Sequence, residues 1–425
     1  MIIFNEEHVF QAGWQKSLER MFPKGGDALP RLKLLRAEHN SETRQTTESF
    51  ETCLPETSTI HRNKMAAKFV ARAVFPPVES LPRSYFLGHH AAGLSKMNTL
   101  LSQIDLIVEC RDYRVPLTSR NPLFEQSLAG RERIIIYTKR DLGSRNKPVD
   151  REVSLPVAFY LTLSDTAKQR EDIIRKWHKP SEVLFSDHKD KKDIRKVLDF
   201  ARRYFENSTS LTGSRIMVVG MPNVGKSSLL NALRKEGVGK GKAAHTGAQP
   251  GVTRKISTSV KIIDSTEDGE GVYLLDTPGV FIPYVPDAEA MLKLALCGNV
   301  KDTIIPPATL ADYLLYRVNL IDPRLYKEYC PPTNDIIELL NAIANKTGRL
   351  QKGGEPDTEA TALWMIQRWR NGLWGRFLLD EVTEDGLQKR ITEETSMGGS
   401  MNQARRADKE ARKQRNIKRH AGTSD

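Results

Sequence analysis

Residues 218–229 read VVGMPNVGKSSL, an apolar run that enters a Gly-rich loop and leaves it as a helix. This order narrows what the chain can fold into, because it sets an anion cradle at the end of a buried strand. Gly220 and Gly225 let the backbone curl so that successive N–H groups point inward, and the following helix adds the positive end of its dipole. Pro222, Asn223, Val224, Gly225, Lys226, Ser227 and Ser228 would then surround a phosphate chain. Lys226 would reach the β- and γ-phosphates, and the Ser227 hydroxyl would hold a magnesium ion bridging them.

Other strands end in polar residues. Ile134 to Tyr137 leads into Thr138-Lys139-Arg140-Asp141, which resembles the guanine-recognition motif NKxD of GTPases. Asp141 would accept hydrogen bonds from the ring N–H and the exocyclic amine of guanine. Adenine lacks that pattern, and the wrong base would leave a buried carboxylate unpaired at a cost of about 1–3 kcal/mol. Lys139 would lay its aliphatic stem along the base plane, and Thr138 stands where the motif prefers Asn, so one side-chain amide contact is lost. The short strand Val183 to Phe185 ends in Ser186-Asp187-His188, a second base element. Beyond the phosphate loop, GAQPGVTR places Thr253 in a Gly/Pro-rich segment where its hydroxyl and carbonyl would join the magnesium shell. The strand Val272 to Leu275 ends in DTPG, where Asp276 would hold a magnesium-bound water and the Gly279 N–H would contact the γ-phosphate.

Conventional GTPases place the base motifs after the phosphate loop, whereas here they precede it, so the chain is circularly permuted. Permutation keeps the sheet and moves the termini. The second switch at Asp276 to Gly279 therefore leads straight into the C-terminal part. From about Ser84 to Asp380 the chain resembles the YlqF/RbgA family of circularly permuted ribosome-assembly GTPases, in its mitochondrial GTPase 1 branch. The likeness rests on GHH, RDYRVPLTSRNP, TKRDL, GMPNVGKSSLLNAL, PGVTR, LLDTPGV, LKLALCGNVKD and the Arg370-to-Gly375 region. The expected fold class is α/β: a permuted P-loop GTPase domain with a mostly parallel sheet and helices on both faces, then a small all-helical domain. The expected boundaries are 1–83 for an N-terminal extension, 84–285 for the GTPase domain, 286–382 for the helical domain and 383–425 for a basic, disordered tail.

The resemblance implies GTP hydrolysis stimulated by the ribosome, in assembly of the large subunit of the mitochondrial ribosome. The helical domain would contact ribosomal RNA. A GTP-regulated, weakly hydrolysing RNA-binding scaffold is the alternative. Many GTPases orient the attacking water with a Gln after DxxG, but Val280 occupies that place and cannot hydrogen-bond. The family's corresponding GHM motif supplies a histidine, which implies His89 for this role, with His90 beside it as the other choice. An Asn at the place of Asn223 in related GTPases helps hold a potassium ion near the phosphates, where a fixed cation would stabilise developing charge.

Lys and Arg number 65 against 53 acids, a formal charge of +12 that favours an anionic partner such as RNA. Residues 403–420 alone hold eight Lys or Arg against two acids, either a solvated helix or a tail that orders on RNA. Met65 opens MAAKFVARAVFPPVESLPR, with the composition of a mitochondrial transit segment. That reading makes Met65 the biological start and the first 64 residues an extended gene model, and an exposed linker helix is the other reading. The four cysteines lie far apart without metal-ligand spacing, as in a reducing compartment. No apolar run approaches the roughly 20 residues that span a bilayer. The expected location is the matrix, with docking on the inner membrane left open.

Overall fold

The computed structural model describes residues 69–78, 81, 82, 85, 88–128, 131–143, 157–206, 213–244, 247, 259–265, 271–282, 285 and 287–396. The sequence readings of residues 1–64, of Thr253 and of the tail from Gln403 lie outside them. Residues 68–425 form one compact unit, so the expected step near residue 286 falls inside it.

Six strands form one sheet in the order β3-β2-β1-β4-β6-β5. They are β1 (Leu106–Asp112), β2 (Arg133–Thr138), β3 (Val183–Ser186), β4 (Ser214–Gly220), β5 (Val260–Ile263) and β6 (Val272–Asp276). The first four and β6 run parallel, and only β5 pairs antiparallel at the edge. The strands expected at Ile134–Tyr137, Val183–Phe185 and Val272–Leu275 are present, each running one residue further toward its polar end, and β5 is an addition that sequence reading lacked. Alternation along β1 and β4 sends Ile107, Met217 and Val219 to one face, against Met97 and Phe124 of α1 (Gly88–Leu100) and α2 (Pro122–Ser127). Val108, Ile216 and Val218 face the other way. Such two-sided burial requires the near-continuous apolar runs seen in the central strands.

Between β2 and β3 lies α3 (Val157–Trp177), a helix that the sequence reading did not single out. In α4 (Lys191–Phe205), Ile194, Val197, Leu198 and Ala201 make one buried stripe, and Asp190 caps the N-terminus by accepting from the Lys192 N–H. After β4 comes α5 (Lys226–Val238), which packs Leu229, Leu230 and Leu233 on the same sheet face.

The C-terminal part is helical as expected: α6 (Ala288–Leu296), α7 (Pro307–Ile321), α8 (Ile336–Thr347) and α9 (Thr358–Arg370). Asp287, Asp335 and Asp357 serve as caps, which is why three of the helices start later than their first polar residue suggests. Trp369 is buried, as packing predicts, while Trp364 is half-buried between the Arg349 and Arg368 guanidinium groups. Within the segment from residue 383, α10 (Gly386–Ser396) is helical and Glu394 pairs with Arg120.

Part of the stretch read as a leader packs on these helices. Arg72 pairs with Asp312, Phe75 meets Tyr313 edge to face, and Leu81 and Tyr85 are buried in the core.

Candidate active site

Because the strands run parallel, the C-terminal ends of β1, β2, β3, β4 and β6 share one edge of the sheet, where open α/β sheets take their ligands. Register pairs Thr138 with Asp112 and Ser186, which brings both base elements to that edge. Gly220 ends β4 with a φ of 151°, and a Cβ there would sit 2.4 Å from the Cys110 carbonyl oxygen. Asn223 and Gly225 also take positive φ, 57° and 101°, giving the loop the alternating curl of an anion-binding nest. Gly225 then caps α5, whose N-terminus points into the loop.

Lys226 is buried and donates to the carbonyl oxygens of Met221 (2.8 Å) and Gly220 (3.3 Å). Burial lowers its pKa, and the nearby Asp276 charge opposes that shift. Ser227 Oγ donates to Asp276 Oδ2 at 2.5 Å, so the two expected magnesium residues meet. Thr277 fixes the DTPG turn by donating to the Val218 carbonyl at 2.6 Å. Gly279 lies so close to the phosphate loop that a Cβ would fall 2.4 Å from Pro222 Cα. Val280 is buried in the core, and its carbonyl accepts from the Asn121 side chain at 2.9 Å. A methyl group at Gly93 of α1 would meet Pro278 Cβ at 3.7 Å, so this helix lies on the DTPG turn. His90, its third residue, is buried with its ring 5.8 Å from that of Tyr85. His89 precedes it in the helix, and its side chain is outside the described set.

The base elements connect to the phosphate loop directly. The Thr138 hydroxyl lies between the carbonyl oxygens of Val224 and Arg111. It thus ties base element to phosphate loop although Thr replaces the preferred Asn. Lys139, at φ 57°, donates to the Asn223 carbonyl at 2.7 Å and to Asp112 Oδ2 at 2.9 Å. Burial raises the pKa of Asp141, and the charge of Asp187 raises it further. Ser186 is buried, and the Asp187 N–H donates to Asp193 at 3.1 Å. His188 Nδ1 stands 3.9 Å from the Asp187 carboxylate. Arg140, grouped with the base residues by sequence, instead binds Glu171 at 2.7 Å and Asp193 at 3.3 Å, which are buried acids on α3 and α4. Its charge neutralises them.

Several residues at this edge were not singled out from sequence. Asp112 accepts from Arg114 at 2.7 and 3.0 Å; burial alone would raise its pKa, but Arg114 and Lys139 outweigh that and hold it well below the carboxylate range. The Arg114 guanidinium also covers the Trp369 ring at 4.9 Å. Asn299 donates to the Pro222 carbonyl at 2.7 Å, and Asn223 donates to the Gly298 carbonyl at 3.2 Å. The motifs RDYRVPLTSRNP and LKLALCGNVKD contain Asp112, Arg114 and Asn299, but the pairing of Asn299 with a carbonyl 77 positions away leaves no mark in local spacing.

A family model described as 50S ribosome-binding GTPase matches residues 215–346. Mitochondrial GTPase 1 of Schizosaccharomyces japonicus is 35% identical over 321 residues, 74% of this chain and 95% of that protein. Mitochondrial ribosome-associated GTPase 1 of Xenopus tropicalis is 34% identical over 337 residues, 74% of this chain and 100% of that one. A solved structure, GNP-bound YlqF from T. maritima, covers 68% of this chain and 97% of its own at 23% identity, with a TM-score of 0.43.

Proposed function

Since this chain belongs to the mitochondrial GTPase 1 family and is a GTPase, we propose that it is an assembly factor for the large subunit of the mitochondrial ribosome, hydrolysing GTP to GDP and phosphate. The observation that carries the site reading is the meeting of Ser227 with Asp276 at 2.5 Å, beside a loop that Lys139 joins to the base element. In this reading Pro222 to Ser228 and Gly279 hold the phosphates, and Thr138, Lys139, Asp141 and Ser186 to His188 form the guanine pocket.

Hydroxyl and carboxylate oxygens side by side suit a hard divalent ion, so Ser227 and Asp276, the latter through water, would hold magnesium together with Thr253. Held there, the ion would supply positive charge against the phosphates. Asn223 would contribute to a potassium site near the same phosphates. Val280 is buried and apolar, so the attacking water needs another partner. We assign that role to His89, because His90 is occupied in core packing beside Tyr85. A neutral imidazole accepts a hydrogen bond from water near neutral pH.

The helical region and the basic tail would contact ribosomal RNA, in keeping with the formal charge of +12. The proposed location is the mitochondrial matrix, with the inner membrane as a peripheral surface. Among the described residues no helix is long and apolar enough to cross a membrane. Pull-down of mitochondrial large subunits in GTP, GDP and a non-hydrolysable analogue tests the proposal. Capture favoured by the triphosphate forms supports it, and equal or absent capture in all three contradicts it.

A further inference from the structure

Pro222 sits at the crown of the phosphate loop and is held from two sides. Gly279 of the DTPG turn packs against it so tightly that no Cβ fits between them. On the other side Asn299, fully buried, donates its side-chain amide to the Pro222 carbonyl at 2.7 Å. The next loop residue returns the bond, because the Asn223 amide donates to the Gly298 carbonyl at 3.2 Å. The turn that carries Gly298 and Asn299 is itself fixed. Arg370 of α9 donates to the carbonyls of Ala295 (2.8 Å) and Leu296 (2.9 Å), and Arg114 donates to that of Cys297 (3.2 Å). Gly298 has a φ of 79°, and a Cβ there would press on the Asn223 amide at 2.9 Å.

We propose that Asn299 is a positioning residue of the phosphate loop, through which the helical region sets how long bound nucleotide is retained. This rests on the reading of residues 220–228 as the phosphate loop. The reciprocal amides hold the Pro222 carbonyl and the Asn223 side chain, where the backbone enters the cradle. A partner that moves α9 moves Arg370, the turn and then the loop, without touching nucleotide.

The test is the dissociation rate of a fluorescent GDP from wild type, Asn299→Ala and Asn299→Asp, each read at about pH 8 and about pH 5.5, either side of a carboxyl whose pKa burial raises. Asn299→Ala leaves the Pro222 carbonyl unpaired and is expected to release GDP about ten-fold faster at both values. Asn299→Asp has no donor as a carboxylate and is expected to release faster still at the higher pH. Protonated, it regains a donor and returns toward the wild-type rate at the lower pH. A merely structural role would not give that pH-dependent rescue. An Ala variant with the wild-type rate, or an Asp variant that tracks Ala at both pH values, overturns the proposal. Lys226→Ala is the control: if it binds GDP as wild type does, the phosphate-loop reading falls and this proposal with it.

Discussion

Lys139 Nζ lies 2.7 Å from the carbonyl oxygen of Asn223, so the lysine of the base element also braces the phosphate loop. Its second contact, Asp112, is pinned by Arg114, which makes one polar chain from loop to helical region. Lys139→Met keeps the stem that would lie along a base and removes the charged bond. GTP affinity is expected to fall about ten- to a hundred-fold, the range of a charge-assisted hydrogen bond. Titration with a fluorescent GTP measures this, and unchanged affinity would show that the stem alone matters.

In the proposed pocket Asp141 would recognise guanine only as a carboxylate, and burial followed by the Asp187 charge raises its pKa above the usual 3.8. Binding should therefore weaken as pH falls through that raised value. Asp187→Asn removes the repulsion and should move the acid limb of the GTP binding curve to lower pH. Identical limbs in the two proteins would separate Asp141 from Asp187.

Arg114→Met leaves Asp112 buried with Lys139 as its main partner and strips the cation from Trp369. Removing one member of a buried pair costs about 3–5 kcal/mol. The loss should appear in urea unfolding and be partly recovered in the double variant with Asp112→Asn. A loss below about 1 kcal/mol, typical of exposed pairs, would contradict this assignment.

His178 accepts or donates at 2.9 Å with the Tyr137 hydroxyl, and its pKa is pushed down to about 3 from 6.5, by burial first and then by Arg111, Arg133 and Arg120. Between those values the unfolded chain binds the proton and the folded chain does not. Stability from this group is therefore full above pH 6.5 and is lost as pH falls toward 3, by about 1.4 kcal/mol per unit. His178→Gln should remove that slope from urea unfolding measured across the range. Equal slopes would place His178 in water.

The parts legible in sequence were those whose chemistry is local. A strand entering a Gly-rich loop and a helix leaving it mark the candidate phosphate loop within a dozen residues, and the structure has that strand–loop–helix. The helix Val157–Trp177 escaped notice because its stripe, including Ala167 and Ile174, is diluted by charged residues. The pairing of Arg140 with Glu171 and Asp193 was not visible, because sequence does not show that these acids fold beside it. Asn299 was invisible for a similar reason, since its partner is a backbone carbonyl 77 positions away, and any residue type supplies one.

The most direct test is GTP turnover with and without purified mitochondrial large ribosomal subunits, in wild type, Lys226→Ala and His89→Ala. Subunits should accelerate wild type. Lys226→Ala should lose nucleotide binding, and His89→Ala should keep GTP affinity within a few-fold while losing most of the stimulation, with potassium serving wild type better than sodium. Turnover that subunits leave unchanged, or that His89→Ala preserves in full, would contradict the account.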